Sequence, residues 1–223
     1  MEAEQLIEQV KKKYGKEKLV SDELKALKKG DSDFRYLAEI IINTCSDVEL
    51  AKNLYKIAVE KMSPNFQDTF DVAVSISSTL KDQKWSADIA KVAASRAGRV
   101  DDFVGLAQLI SDEDGINDKT WARSFYDLAG STATQTYEFK VIAVSAYNDR
   151  YLNDEEFARR MFMRALDCIS DVYDLCSVAT TVADEDDFSG DKKWAKQILQ
   201  DGTSKFKDKD DLKFIKSELE KIK

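Results

Sequence analysis

The stretch from Asp118 to Gly130, DKTWARSFYDLAG, decides the fold, because its pattern recurs four more times along the chain. Stretches of the same design begin at Asp47, Asp82, Asp154 and Asp191, so successive aspartates are 35, 36, 36 and 37 residues apart. Self-similarity at a period of this length is typical of repeat proteins, in which each unit is one supersecondary motif.

Small and large apolar residues follow each aspartate at fixed distances. A small residue comes four positions later, a large one three positions after that, and a second small one four positions further on. These steps put the side chains on one face of an α-helix, which we call helix B, and aspartate is a preferred N-cap. The three columns are Ala51, Ser86, Ala122, Ala158 and Ala195; Leu54, Ile89, Phe125, Met161 and Ile198; and Ala58, Ala93, Ala129, Ala165 and Gly202.

A second periodic helix, helix A, precedes each helix B. Its face carries a large apolar residue followed directly by a small one, which lets another helix cross closely. The pairs are Leu37 and Ala38, Val72 and Ala73, Leu106 and Ala107, Ile142 and Ala143, and Leu175 and Cys176. The repeated unit is therefore helix A, a loop and helix B.

These columns predict an all-α protein, a right-handed α-solenoid of antiparallel helix pairs with about five repeats of 35–37 residues plus caps. We expect a single repeat domain over residues 1–223. Residues 1–30 would form an N-terminal cap, residues 31–202 the five helix pairs and residues 203–223 a C-terminal capping helix.

The chain resembles tetratricopeptide and Sel-like helical repeats. Helix A reads FRYLAEII from Phe34 and FVGLAQLI from Phe103, and helix B reads AKNLYKIA from Ala51 and ARSFYDLA from Ala122. The resemblance covers roughly residues 31–202 and implies a scaffold that binds an extended peptide or a partner helix on a concave face lined by the A helices. Many unrelated functions share this scaffold.

Composition disfavours several classes of function. The net charge of −8 opposes non-specific binding to nucleic acid or to an anionic membrane, and no apolar stretch is long enough for a membrane span. The absence of histidine removes Ser-His-Asp and Cys-His catalysis. We expect a non-catalytic, cytoplasmic protein without a cofactor, metal or small-molecule substrate, whose partner is a protein or peptide.

The expected binding surface lies on the A helices, at positions turned away from the contact with helix B. Apolar side chains in the middle of this surface, with polar ones beside them, suit a protein partner. Tyr173 occupies such a position as well. The residues predicted to bind the partner are Phe70, Val74, Gln108, Lys140, Val144 and Tyr147. The alternative is that these side chains pack inside a tighter superhelix.

Three tryptophans, Trp85, Trp121 and Trp194, stand next to the small residue of helix B, where Leu50 and Phe157 stand in the other repeats. A recurrent aromatic at one repeat position is more often core between repeats than an exposed binding stripe. We therefore expect these side chains to pack between neighbouring repeats.

The loops from helix A to helix B are longer in the last three repeats, where they contain SDEDGIN, NDRYLN and DEDDFSG, and we interpret the extra residues as polar, solvated insertions. Clustered carboxylates also suit a hard cation such as Ca²⁺, although the ligand spacing of an EF-hand is missing. The alternatives left open are a helical-repeat protein that binds a divalent cation or nucleic acid, and an enzyme that uses carboxylates only.

Overall fold

The computed structural model describes residues 3–27 and 31–222, and within these ranges it is helical without any strand. The prediction of an all-α fold is confirmed. The helices are α1 (Ala3–Tyr14), α2 (Lys18–Ala26), α3 (Asp31–Cys45), α4 (Val48–Lys61), α5 (Phe66–Ser75), α6 (Gln83–Ala94), α7 (Val100–Ser111), α8 (Lys119–Thr132), α9 (Thr136–Asn148), α10 (Glu155–Asp167), α11 (Val172–Ala183), α12 (Lys192–Gly202) and α13 (Lys209–Lys221).

The predicted A helices correspond to α3, α5, α7, α9 and α11, and the predicted B helices to α4, α6, α8, α10 and α12. Helix α3 packs on α4, α5 on α6, α9 on α10, and α11 on α12. A π-helical turn (Ile76–Leu80) extends α5, and a 3₁₀ turn (Thr203–Lys205) follows α12. In these four pairs, helix A thus packs on the helix B that follows it in the chain.

The chain divides into two compact units. The first lies within residues 1–98 and 108–122, and the second within residues 99–107 and 123–223, so that the boundary crosses α7 and α8. In the first unit α1 and α2 pack against each other and against α4 and α3, respectively; in the second, α13 packs on α11 and α12. The single repeat domain over residues 1–223 stays a prediction, and residues 1–2, 28–30 and 223 of its caps lie outside the described residues.

The core of each unit is built from the predicted columns. All five small residues of the first column of helix B are fully buried, and the large residues of that helix are at most 7% exposed. The large residues of helix A are at most 1% exposed, and their small neighbours are buried too. The three- and four-residue spacing therefore predicted correctly which side chains face inward.

Every helix B begins with the same cap. In all five, the aspartate side chain accepts a hydrogen bond from the backbone N–H three residues later, at 2.8–3.3 Å. This bond satisfies an amide that has no partner within the helix, and the negative charge complements the helix dipole. The N-caps predicted from the sequence are confirmed.

The residue directly before each cap has a left-handed backbone, with φ between 42° and 63°. Within the described ranges these are all the residues with positive φ: Ser46, Lys81, Asn117, Asn153 and Gly190. Asparagine and glycine tolerate this conformation best, so three of the five positions carried a signal in the sequence that the helix pattern does not use. The turn into helix B is thus as periodic as the helix itself.

Successive B helices are tied together through these caps. Arg159 of α10 donates to Asp191 at 3.1 Å, and its guanidinium lies 4.8 Å from the ring centre of Trp194. Arg123 of α8 pairs in the same way with Asp154. The Arg123 guanidinium likewise lies 4.3 Å from the ring centre of Phe157. In α8 and in α10, the arginine that follows the small residue therefore binds both the cap and the aromatic residue of the next helix B.

The aromatic residues at the start of the B helices pack as predicted, although not to the same depth. Leu50 and Phe157 are buried, at 3% and 2% exposure, whereas the tryptophans are half-buried. Trp85 meets Tyr55 edge to face at 6.3 Å, and Trp194 meets Phe162 at 6.1 Å. These rings belong to the packing within each unit and do not form an exposed stripe.

The last long loop is not simply a polar insertion, which corrects the sequence interpretation for DEDDFSG. Phe188, in the middle of DEDDFSG, is fully buried and contacts Tyr147, Phe162 and Trp194 with ring centres 4.6–6.2 Å apart. An aromatic side chain removed from water contributes a large favourable free energy. The last long loop is therefore held against the second unit by its own apolar residue.

The aspartate that directly follows α7, α9 and α11 organises the turn of each long loop. Asp112 accepts from the amide of Asp114, and Asp184 accepts from that of Asp186, in the manner of an Asx-turn. Asp149 does the same for Tyr151 at 3.1 Å.

Among the described helices, none combines the length and the apolar character that a membrane span requires.

Candidate binding surface on the A helices

The six residues predicted to bind a partner all lie on A helices. The first unit carries Phe70 and Val74 on α5 and Gln108 on α7, and the second carries Lys140, Val144 and Tyr147 on α9.

In the first unit, α5 presents a small apolar surface. Phe70 is half-buried and stacks on Phe66, one turn earlier, with ring centres 5.3 Å apart. Val74 is 36% exposed, although it lies between buried residues of the same helix. Gln108 of α7 is exposed. Phe70 and Val74 therefore offer an apolar contact that the fold uses only in part.

Beside them lies a polar network that joins α3, α4 and α5. The hydroxyls of Tyr55 and Ser75 are 2.6 Å apart, and Ser75 donates to the carboxylate of Glu39 at 2.5 Å. Arg35 donates to the same carboxylate at 3.0 Å. Burial raises the pKa of the Tyr55 phenol, so this group stays protonated. The network satisfies the hydrogen-bonding groups of these polar side chains.

In the second unit, Lys140 links two A helices. Its amino group donates to the hydroxyl of Ser177 on α11 at 2.7 Å. Val144, one turn after Lys140, is half-buried. The bond shows that Lys140 of α9 and Ser177 of α11 share one surface of this unit.

Tyr147 has a structural contact as well. It is half-buried, and its ring centre lies 4.6 Å from that of Phe188 in the long acidic loop. The next residue, Asn148, donates to the carbonyls of Asp186 and Asp187 at 3.3 and 3.0 Å. The last two residues of α9, Tyr147 and Asn148, therefore hold this loop against the helix. The sequence signal for this role was the single aromatic residue among the loop's carboxylates.

Two tyrosines of A helices are much more exposed. Tyr137, in the first turn of α9, is 63% exposed, and Tyr173, in the first turn of α11, is 68% exposed. The ring centre of Tyr173 lies 5.2 Å from that of Phe214 on α13. Tyrosine is enriched at protein interfaces because it combines a large apolar ring with a hydroxyl that can bond. Tyr173 was recognisable from its repeat position, whereas Tyr137 was not singled out by the sequence.

The conspicuous carboxylates of the B helices have structural partners. A hydrogen bond from the Trp194 amide and the nearby Arg159 guanidinium lower the pKa of Asp191 below its ordinary value. The Lys13 amino group, with the amide of Leu50, does the same for Asp47. Both side chains are thus held ionised by bonds to the charged form.

The positions of the carboxylates and thiols determine whether they can hold a metal ion, and burial determines how reactive a thiol is. Among the described residues, no three carboxylate or thiol side chains lie close enough together to hold a metal ion. The thiols of Cys45, Cys168 and Cys176 are unpaired. Burial, with the nearby Glu218 carboxylate, raises the pKa of Cys176 to about 11, which makes its thiolate scarce at neutral pH.

Comparison with models of known protein families and with curated proteins finds no match to this chain.

Proposed function

We propose that this protein is a non-catalytic protein–protein interaction module, an adaptor or assembly scaffold, that binds a peptide or helix through its A helices. The proposal includes the finer architecture expected from the sequence, a right-handed α-solenoid of antiparallel helix pairs related to tetratricopeptide and Sel-like repeats. The periodic turns and caps of the B helices support this architecture, since one local geometry recurs in every repeat. A cytoplasmic location stays a prediction.

The observation that carries the proposal is the exposure of Tyr173. A tyrosine ring left 68% exposed on α11 contributes little to the stability of the fold. The same surface includes Ser177, which is bonded to Lys140 of α9. An aromatic side chain beside hydrogen-bonding groups is the usual anchor of a protein interface.

Within the second unit, the proposed surface consists of Lys140 and Val144 of α9 and Tyr173 and Ser177 of α11. Tyr147 lies at its edge and also fastens the acidic loop. Phe70, Val74 and Gln108 are proposed to serve the same purpose in the first unit. Each group is proposed as a separate contact surface.

Site-specific photo-crosslinking tests the proposal. A benzophenone amino acid is placed at position 173 of the full chain, and a matched variant carries it at position 128, where Leu128 of α8 is 45% exposed on a helix B. After irradiation in a lysate of the source organism, position 173 should give a discrete crosslinked protein that position 128 does not give. No crosslink at 173, or the same products at both positions, would refute the proposed surface.

A further inference from the structure

A pocket in the second unit is lined by residues other than those of the proposed binding surface. Its floor and walls come from the end of α10, from α11 and from α12, and its volume is about 270 Å³. The apolar side chains that line it are Met163, Leu166, Ile169, Leu175, Trp194 and Ile198. Leu175 and Ile198 are buried at its base, whereas Met163 is 52% exposed. A long apolar side chain left open at the mouth is a feature of adaptable binding sites.

The size of the pocket indicates what it can hold. Sites for small organic ligands occupy about 300–1,000 Å³, so this pocket is comparable to the smallest of them. It has room for one large apolar side chain, which is the typical anchor of a protein partner. The volume therefore suits a single side chain of a polypeptide.

The charge at the rim indicates what lies beside that side chain. Asp201 lines the pocket from the last turn of α12, where a carboxylate is opposed by the helix dipole. In the described part of the chain, no cation pairs with it. Lys205, the cation at the same rim, donates instead to the Leu166 carbonyl at 3.0 Å. The Asp201 charge is thus unfavourable to the helix and available to a ligand.

We propose that this pocket binds a large apolar side chain, such as phenylalanine or leucine, from a polypeptide segment in which a lysine or arginine stands beside it, its cation pairing with Asp201. The inference shares with the proposed function the premise that the chain binds polypeptide. It places the contact on different residues, so that either surface can fail without the other.

Methionine methyl groups report on binding to the pocket. The chain has four methionines, so [methyl-¹³C]methionine labelling gives a simple NMR spectrum, in which Met163 is assigned with the variant Met163→Leu. Met62 of the first unit is the internal reference. The probes are the blocked tripeptides Ac-Lys-Phe-Lys-NH₂ and Ac-Glu-Phe-Glu-NH₂, together with phenethylamine, which carries the ring and the cation without a peptide.

The basic tripeptide should shift the Met163 signal and leave Met62 unmoved, and it should bind more tightly than the acidic one. Asp201→Asn should weaken the basic tripeptide by up to about fivefold, the range of an exposed ion pair, and should strengthen the acidic one, because a like-charge repulsion is removed. This variant should fold normally, because the charge it removes opposes the helix dipole.

Three results would overturn the inference. The first is an unmoved Met163 signal with the basic tripeptide at millimolar concentration, and the second is equal binding of the basic and acidic tripeptides. The third is phenethylamine binding as tightly as the basic tripeptide, which would make the pocket a small-molecule site. None of these outcomes affects crosslinking at position 173, so the two proposals are tested separately.

Discussion

At the residue scale, the aspartate that opens each helix B combines two roles. Asp191 caps α12 through the Trp194 amide at 2.9 Å and also pairs with Arg159 of α10. Asparagine caps a helix about as well as aspartate but has no charge. The two contributions can therefore be separated by substitution.

We expect Asp191→Asn to lower the free energy of unfolding by less than about 1 kcal/mol, since only a partly exposed ion pair is lost. Asp191→Ala also removes the cap and should cost roughly 0.5–2 kcal/mol more. Urea unfolding of both variants measures the difference. Equal losses in the two variants would show that the cap bond contributes nothing.

The same residue gives a pH dependence. The folded-state pKa of Asp191 is lowered from 3.8, chiefly by the Trp194 amide, so its stabilisation is complete above the unfolded pKa. It is lost as the pH falls from about 4 through the lower folded pKa. Unfolding free energies measured between pH 5 and pH 2 should fall less steeply for Asp191→Asn than for the wild type. Parallel curves would contradict the assignment.

Tyr126 of α8 makes buried hydrogen bonds whose contribution to stability can be measured. Its hydroxyl bonds to the Ser145 carbonyl and, at 3.1 Å, to the Asp149 carboxylate, which organises the loop after α9. Tyr126→Phe leaves these buried acceptors with one donor fewer and should cost about 1–3 kcal/mol. Tyr137→Phe, at a residue that is 63% exposed, is the matched control and should cost almost nothing. Similar melting temperatures for the two variants would contradict this role.

At the element scale, close helix contact depends on the small residues. Ala158 is fully buried on α10, which packs on α9. Ala158→Leu should cost roughly 1–3 kcal/mol by overpacking, whereas Ala26→Leu, at an exposed position of α2, should have little effect. Thermal unfolding of both variants makes the comparison. An unchanged melting temperature for Ala158→Leu would mean that the column tolerates bulk.

The helices were predictable because their signals are local and repeated. In α10, for example, Asp154 indicates the N-cap, and the helical spacing of Ala158, Met161 and Ala165 indicates the buried face. Phe188 was missed because its burial depends on contacts with α9, α10 and α12, and the residues around it in the sequence are acidic. The left-handed turn residues were missed because no single residue type recurs there. Ser46 and Lys81 occupy two of the five positions, and neither residue type indicates a left-handed backbone.

The candidate surface was predictable only in part, for the same reason. Repeat positions placed Lys140 and Val144 on the A helices, and the Lys140–Ser177 bond agrees with that placement. They could not distinguish an exposed ring from one that fastens a loop. Tyr147 and Tyr173 both occupy positions turned away from helix B, yet only Tyr147 contacts Phe188. That difference arises from a loop whose conformation has no periodic signal.

At the scale of the whole molecule, the central claim is that the A helices carry side chains kept for a partner. Buried columns and capped B helices account for the stability of the two units, whereas Val74, Tyr137 and Tyr173 remain exposed. Exposed aromatic side chains are the usual anchors of protein interfaces. Exposed aliphatic side chains occur on B helices as well, at Leu128 and Met163, but the exposed aromatic ones of the described residues, Tyr36, Tyr137 and Tyr173, all lie on A helices.

The most direct test combines two measurements on Tyr173→Ala: the dissociation constant for the protein captured at position 173, and the melting temperature. The account predicts that affinity falls by roughly 1–3 kcal/mol, as expected of an anchor. The melting temperature should fall by no more than about 4 °C, because a ring that is 68% exposed contributes little to folding. A large drop in melting temperature with an unchanged dissociation constant would contradict the claim and make Tyr173 part of the fold.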